Sequence, residues 1–118
     1  MNPSMQECID NCLNCHRVCL ETFAQHCLKM GGAHVAQRHA RLMLDCIQIC
    51  QTCADFMIRG SELHYLTCGV CAEICQRCAD DCGRFDDAEM RRCADTCSQC
   101  AQTCRAMSGQ SVREPITI

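Results

Sequence analysis

The stretch Cys93-Ala94-Asp95-Thr96-Cys97-Ser98-Gln99-Cys100-Ala101-Gln102-Thr103-Cys104 decides the fold. Its cysteines step by four, three and four, which keeps all of them on one face of an α-helix and on no face of a strand. The same spacing recurs at Cys8, Cys12, Cys15 and Cys19, and again at Cys71, Cys75, Cys78 and Cys82, preceded by Cys68. A further copy has Cys46, Cys50 and Cys53, with Met57 where the fourth cysteine would stand. Each copy lies in its own helical segment. Four amphipathic helices joined by short connections fold most simply as an antiparallel up-down bundle with the stripes facing inward. The expected fold is therefore all-α, a four-helix bundle with a Cys-lined core.

Punctuation places the helices at about 3–30, 33–59, 61–82 and 86–107, within a single domain over 1–110 followed by a C-terminal tail, 111–118. Asn2 reads as a cap with Pro3 at the first helical position, and Gly31-Gly32 as a stop. Gly60 closes the second segment, Ser61 caps the third, and Asp86 with Glu89 starts the fourth.

Composition explains why the stripes matter. Seventeen of 118 residues are Cys, while Leu, Ile, Val and Phe together number only 21 and Trp is missing. Such a chain has little material for a conventional core. One or two buried Cys act as small hydrophobes, but repeated stripes of them do not, because Leu would pack those positions better. A disulfide framework fits poorly: neighbours three or four apart on a helix have Cβ atoms about 5–6 Å apart, whereas a disulfide needs about 3.5–4.5 Å. Metal ligation remains. Structural zinc and iron–sulfur clusters gather discrete sets of Cys, whereas these ladders are continuous. Soft thiolates select Cu(I), which accepts two or three sulfurs. One monovalent ion per thiolate leaves the net charge at −3, so the expected load is on the order of one Cu(I) per Cys. Zinc at half that count also balances charge, and a cytosolic zinc or mixed soft-metal thiolate buffer is the alternative.

All seventeen thiols are candidate ligands: Cys8, Cys12, Cys15, Cys19, Cys27, Cys46, Cys50, Cys53, Cys68, Cys71, Cys75, Cys78, Cys82, Cys93, Cys97, Cys100 and Cys104. Extending the stripes meets His26, Met30, His39, Met43 and Met90 at one end of the bundle, with Cys27 slightly off the face. Met5, Met57, His64 and Met107 gather at the other. The richer end is the expected entrance for metal. His16 and His34 read as surface residues.

The repeated Cys-x3-Cys-x2-Cys-x3-Cys pattern, from about Met5 to Met107, resembles the bacterial copper storage proteins, specifically their cytosolic Cys-rich branch. The resemblance implies a bundle that fills with Cu(I) through an open end, a homotetramer, and a storage role in the cytosol. Met57 departs from the pattern and offers a neutral thioether in place of a thiolate.

Other classes fit less well. The acidic balance argues against a nucleic-acid partner or a metal-responsive repressor. No apolar run approaches the length needed to cross a membrane. The N-terminal residues carry no export pattern, which predicts the cytoplasm, where thiols stay reduced. Cys12-Leu13-Asn14-Cys15-His16 matches a haem-attachment motif but lies inside a stripe. Inward Glu-x-x-His pairs of a di-iron bundle do not occur. A thiol-disulfide redox protein needs one exposed, activated Cys. A copper chaperone needs one accessible site. No enzymatic activity is expected.

Overall fold

The computed structural model describes residues 4–111, with the side chains of 110 and 111 left out of the description. Helix α1 runs Met5–Glu21, passes through a π-helical segment Thr22–Cys27, and ends in one α turn, Leu28–Met30. A 3-10 turn, Gly32–Val35, leads to α2 (Gln37–Ile58), followed by α3 (His64–Cys82) and α4 (Ala88–Ser111). Consecutive helices pack side by side and α4 closes back on α1, which gives the antiparallel up-down bundle. Among the described residues there is no strand.

Local chemistry sets the ends. Ser4 caps α1 by accepting the Glu7 N–H at 3.1 Å; Asn2 and Pro3, expected in that role, lie outside the described residues. Helix α2 starts at Gln37 rather than near 33, because Gly31 and Gly32 take positive φ and the next residues form the 3-10 turn. It ends in a Schellman motif: the Ser61 N–H reaches the Phe56 carbonyl, the Gly60 N–H reaches Met57, and Gly60 has φ 69°. Ser61 caps only a turn, accepting the Leu63 N–H, so α3 starts at His64 rather than 61. Helix α4 is capped by Asp87, one residue after the expected Asp86, through the Met90 N–H at 2.9 Å. It continues through Gly109 to Ser111 instead of stopping at Met107. Residues 112–118 of the expected tail lie outside the described residues.

The core is sulfur. All seventeen cysteines are free and fully buried, joined by Met43, Met57, Met90 and Met107. Conventional hydrophobes are few inside, chiefly Val18 and Ile47. Helix α2 carries apolar residues beyond its sulfur stripe: Ile47 and Ile49 pack on the core, Leu42 and Phe56 are half-buried, and Leu44 and Ile58 are exposed. No helix among the described residues is long and apolar enough to cross a membrane.

Candidate metal centre

Because each stripe steps by four and three, the four helices point their sulfurs at a common axis. The thiols then meet across helices. Cys19 lies 3.4 Å from Cys97 and 3.5 Å from Cys93, and Cys12 lies 3.5 Å from Cys104. Cys50 lies 3.6 Å from Cys75, and Cys53 lies 3.4 Å from Cys68. A metal–sulfur bond of about 2.3 Å puts the sulfurs of a trigonal site about 4.0 Å apart and those of a linear site about 4.6 Å apart. These sulfurs must separate by about 0.5 Å to reach trigonal spacing and by about 1 Å to reach linear spacing.

Three quartets each bring four sulfurs within 4.8 Å of one another: Cys12, Cys71, Cys100 and Cys104; Cys15, Cys50, Cys75 and Cys100; and Cys15, Cys19, Cys46 and Cys97. A trio of Cys8, Cys68 and Cys104 extends the series. Cys15, Cys100 and Cys104 each belong to two sets. A tetrahedral zinc site keeps four thiolates to itself, and these quartets cannot all be filled that way at once. Bridging thiolates and low coordination numbers can fill them together.

The electrostatics of the tube follow from crowding. Hydrogen bonds among the thiols split the array. Cys19, Cys50 and Cys97 are held well above the usual thiol range, Cys15 foremost for Cys19 and Cys97 and Cys100 foremost for Cys50, with burial adding to the rise. Cys15 and Cys100 are held below it, by Cys100 and Cys104 foremost, respectively. Burial first, then the charges of Cys93, Asp87 and Cys78, pushes Cys27 up to about 11. Deprotonating such an array calls for cations in its place.

The ends carry the mixed donors. Cys27 lies on the axis because the π-helical segment holds one more residue per turn: the Leu28 N–H reaches back five residues to the Phe23 carbonyl. An uninterrupted α-helix would continue the stripe through His26 and Met30. The extra residue brings Cys27 inward instead, moves His26 to the rim, and leaves Met30 56% exposed. The Cys27 sulfur sits 3.7 Å from His39 Nε2 and 3.7 Å from Met90 Sδ. His39 Nδ1 donates to Asp81 Oδ2 at 2.6 Å, and Arg84 donates twice to the other oxygen. That carboxylate fixes the tautomer and leaves the Nε2 lone pair facing Cys27, the arrangement of a carboxylate-oriented metal ligand. Burial pushes the Asp81 carboxyl up, but the bonds from His39 and Arg84 outweigh it and hold the group low. Met43 Sδ contacts both Cys78 and Cys82 at 3.6 Å.

At the other end Met57 Sδ lies 3.8 Å from Cys68, Met107 is buried, and Met5 packs on the core. His64 is half-buried there, its Nδ1 donating to the Ser61 carbonyl at 2.9 Å. Two histidines expected on the surface are tied in. His16 Nδ1 donates to the Ile47 carbonyl at 2.7 Å, joining α1 to α2, and His34 pairs with Asp87 at 2.7 Å. Asp81 and Asp87 were not among the expected site residues. Asp81 carried a signal, since it lies three after Cys78 and shares its face; Asp87, at a loop-to-helix junction, carried none.

The chain is similar to known proteins over nearly its whole length. Residues 1–109 match the family model described as copper storage protein, Csp. The uncharacterized cysteine-rich protein YhjQ of Bacillus subtilis is 32% identical over 108 residues, 92% of this chain and 99% of the relative. Among solved structures, the Nmul_A1745 protein from Nitrosospira multiformis superposes with a TM-score of 0.86 at 48% identity, covering 90% of this chain and 95% of that one. The Cu(I)-bound copper storage protein BsCsp3 superposes with a TM-score of 0.81 at 32% identity, covering 87% and 96%.

Proposed function

Since the chain belongs to the copper storage protein family, we propose that it stores Cu(I) as many ions in its thiolate tube, about one per Cys. The observation that carries this reading is the sharing of Cys15, Cys100 and Cys104 between adjoining sulfur sets. Shared thiolates suit a monovalent soft ion that needs two or three sulfurs, whereas zinc could close at most two of the three quartets and would leave the middle one broken. In this reading all seventeen thiolates are ligands. His39, Met43, Met57 and Met90 are neutral donors at the two ends, and the end built by Cys27, His39 and Met90 admits the metal. Each ion displaces one thiol proton, so loading leaves the charge of the chain unchanged. The protein is a non-enzymatic store that removes Cu(I) from redox cycling.

The store operates in the cytoplasm, where thiols are kept reduced, and assembles as a homotetramer. The exposed Leu44 and Ile58 on α2 and Leu63, Leu66 and Val70 around the start of α3 are compatible with subunit contacts.

An anaerobic Cu(I) titration of the reduced protein against a chromophoric chelator, with Zn(II) in parallel, tests the storage reading. Uptake on the order of one Cu(I) per Cys with zinc displaced is the expected result. Saturation after one or two copper ions, or retention of about one zinc per four thiols, would refute it. Light scattering reads the tetramer, and fractionation of the source cells reads the compartment.

A further inference from the structure

Outside the sulfur tube, one cluster brings together donors of a different kind. The end of α1 contributes His26, the 3-10 turn contributes His34, and the residue before α4 contributes Asp87. One donor atom from each lies within 4.8 Å of the other two. Asp87 Oδ2 is 2.7 Å from His34 Nε2 and 3.3 Å from His26 Nε2. His34 and Asp87 are mutually bonded, but His26 Nε2 is shut off from solvent and makes no hydrogen bond. An imidazole nitrogen shut off from water and held 3.3 Å from a carboxylate oxygen, without hydrogen-bond geometry, is poorly satisfied, and a bound ion would occupy its lone pair.

We infer that His26, His34 and Asp87 form a second metal site at the rim, taking a divalent borderline cation such as Zn(II) rather than Cu(I). Two imidazole nitrogens and a carboxylate oxygen suit that class; soft Cu(I) prefers the sulfurs one layer inward. A tetrahedral ion with bonds of about 2.0–2.1 Å wants donors about 3.3 Å apart. The His26–Asp87 pair already has that spacing, and the His34–Asp87 pair opens by about 0.6 Å once the ion replaces its hydrogen bond. Three protein ligands leave the fourth position to water, which the partial exposure of all three residues permits.

The surroundings support the cluster as a built site. Asp87 is aimed by its other oxygen, which accepts the Met90 N–H at 2.9 Å. Burial pushes its carboxyl up, and that backbone bond together with His34 and His26 overcomes the effect and holds it ionised. The His34 ring rests on Phe85 with centroids 4.4 Å apart, and Phe85 lies against His39 at 5.0 Å. Phe85 thus stands between the rim donors and the imidazole that faces Cys27. An ion there would tie both connections at this end of the bundle to the end of α1.

Co(II) is the probe, added anaerobically to protein whose thiols are filled with Cu(I), and followed by visible absorption and by the histidine ring NMR signals. One Co(II) per chain is expected. Its d–d bands should appear without thiolate charge transfer, and the His26 and His34 signals should be shifted paramagnetically. His26→Gln and Asp87→Asn, the latter retaining the helix cap, should each weaken binding at least about tenfold, with unchanged helical circular dichroism. Thiolate charge transfer, unshifted His26 and His34 signals, or variants binding like the parent would each overturn the inference. Copper uptake is measured first. A chain that takes no Cu(I) fails the storage reading alone, and the same histidine signals then report the rim directly in the reduced apo protein.

Discussion

Where the N-terminus of α1 meets the C-terminus of α4, the described residues that finish the tube are thioethers, with the half-buried His64 beside them. Met57 faces Cys68, Met107 is buried, and the partly buried Met5 packs on the core. At the opposite end the last thiol, Cys27, meets an imidazole and a thioether, and behind them stand Asp81, Arg84, His34 and Asp87. Both ends terminate the same ladder, and at the Cys27 end the last thiol is in contact with an imidazole that a carboxylate orients. The difference teaches how a closed sulfur core can have a direction. In the proposed reading the thioether-rich end seals, whereas the carboxylate-oriented imidazole beside the last thiol gives an incoming ion its first ligand.

The largest effect that would break this comparison is on the rate of loading. Replacing both Cys27 and His39 by Ala should slow Cu(I) uptake on the order of tenfold, while Met57→Ala should leave the rate unchanged. Stopped-flow transfer from a chelator reads both, and equal rates would remove the asymmetry. Next comes stability. Asp81→Ala strands His39 Nδ1 and should cost about 1–3 kcal/mol in apo-protein denaturation. Asp80→Ala, on the exposed neighbour, should stay within about 0.5 kcal/mol.

Titration sharpens the same contrast. Asp81 and Asp87 are held below the ordinary carboxylate value, so the stability they contribute is whole above about pH 4 and lost as pH falls through their folded values. Cys27 is raised to about 11, so its contribution is whole below about pH 8.5 and lost as pH climbs through 11. Thermal melts of the apo protein should therefore fall off on both sides. Loading with Cu(I) should abolish the alkaline limb, because the thiolates are already formed and neutralised. A smaller effect concerns capacity: Met57→Cys restores the missing fourth thiol of α2 and should add about one Cu(I) equivalent. The smallest is dynamic. Helix α4 has little besides sulfur and Ala to bury, so its amides should exchange faster than those of α2 in the apo protein and slow on loading.

Much of this arrangement is legible in the chain. The steps of four and three in Cys93, Cys97, Cys100 and Cys104 are sufficient for a helix with one sulfur face, and four copies are sufficient for a bundle whose faces converge. Met57 is visible as a gap in its stripe, and His39 and Met90 as its continuations. Cys27 is legible as a candidate thiol slightly off the face but not as an axial one, because nothing in Thr22–Cys27 announces the π-helical turn that carries it inward and turns Met30 out. His34 and Asp87 are not legible as donors, since they sit in a turn and at a helix cap, 53 residues apart.

The physical reason for the divide lies in range. Helical period is a local property, repeated every 3.6 residues, so the sequence by itself determined that the helices form, that each carries a sulfur stripe, and that the stripes must face one another. How the ends are finished depends on connections and on pairs such as His39 with Asp81, 42 residues apart, whose meeting follows only once four helices have docked. Tertiary structure alone decided which sulfurs are shared, how the richer end is finished, and where a second set of donors gathers at the rim.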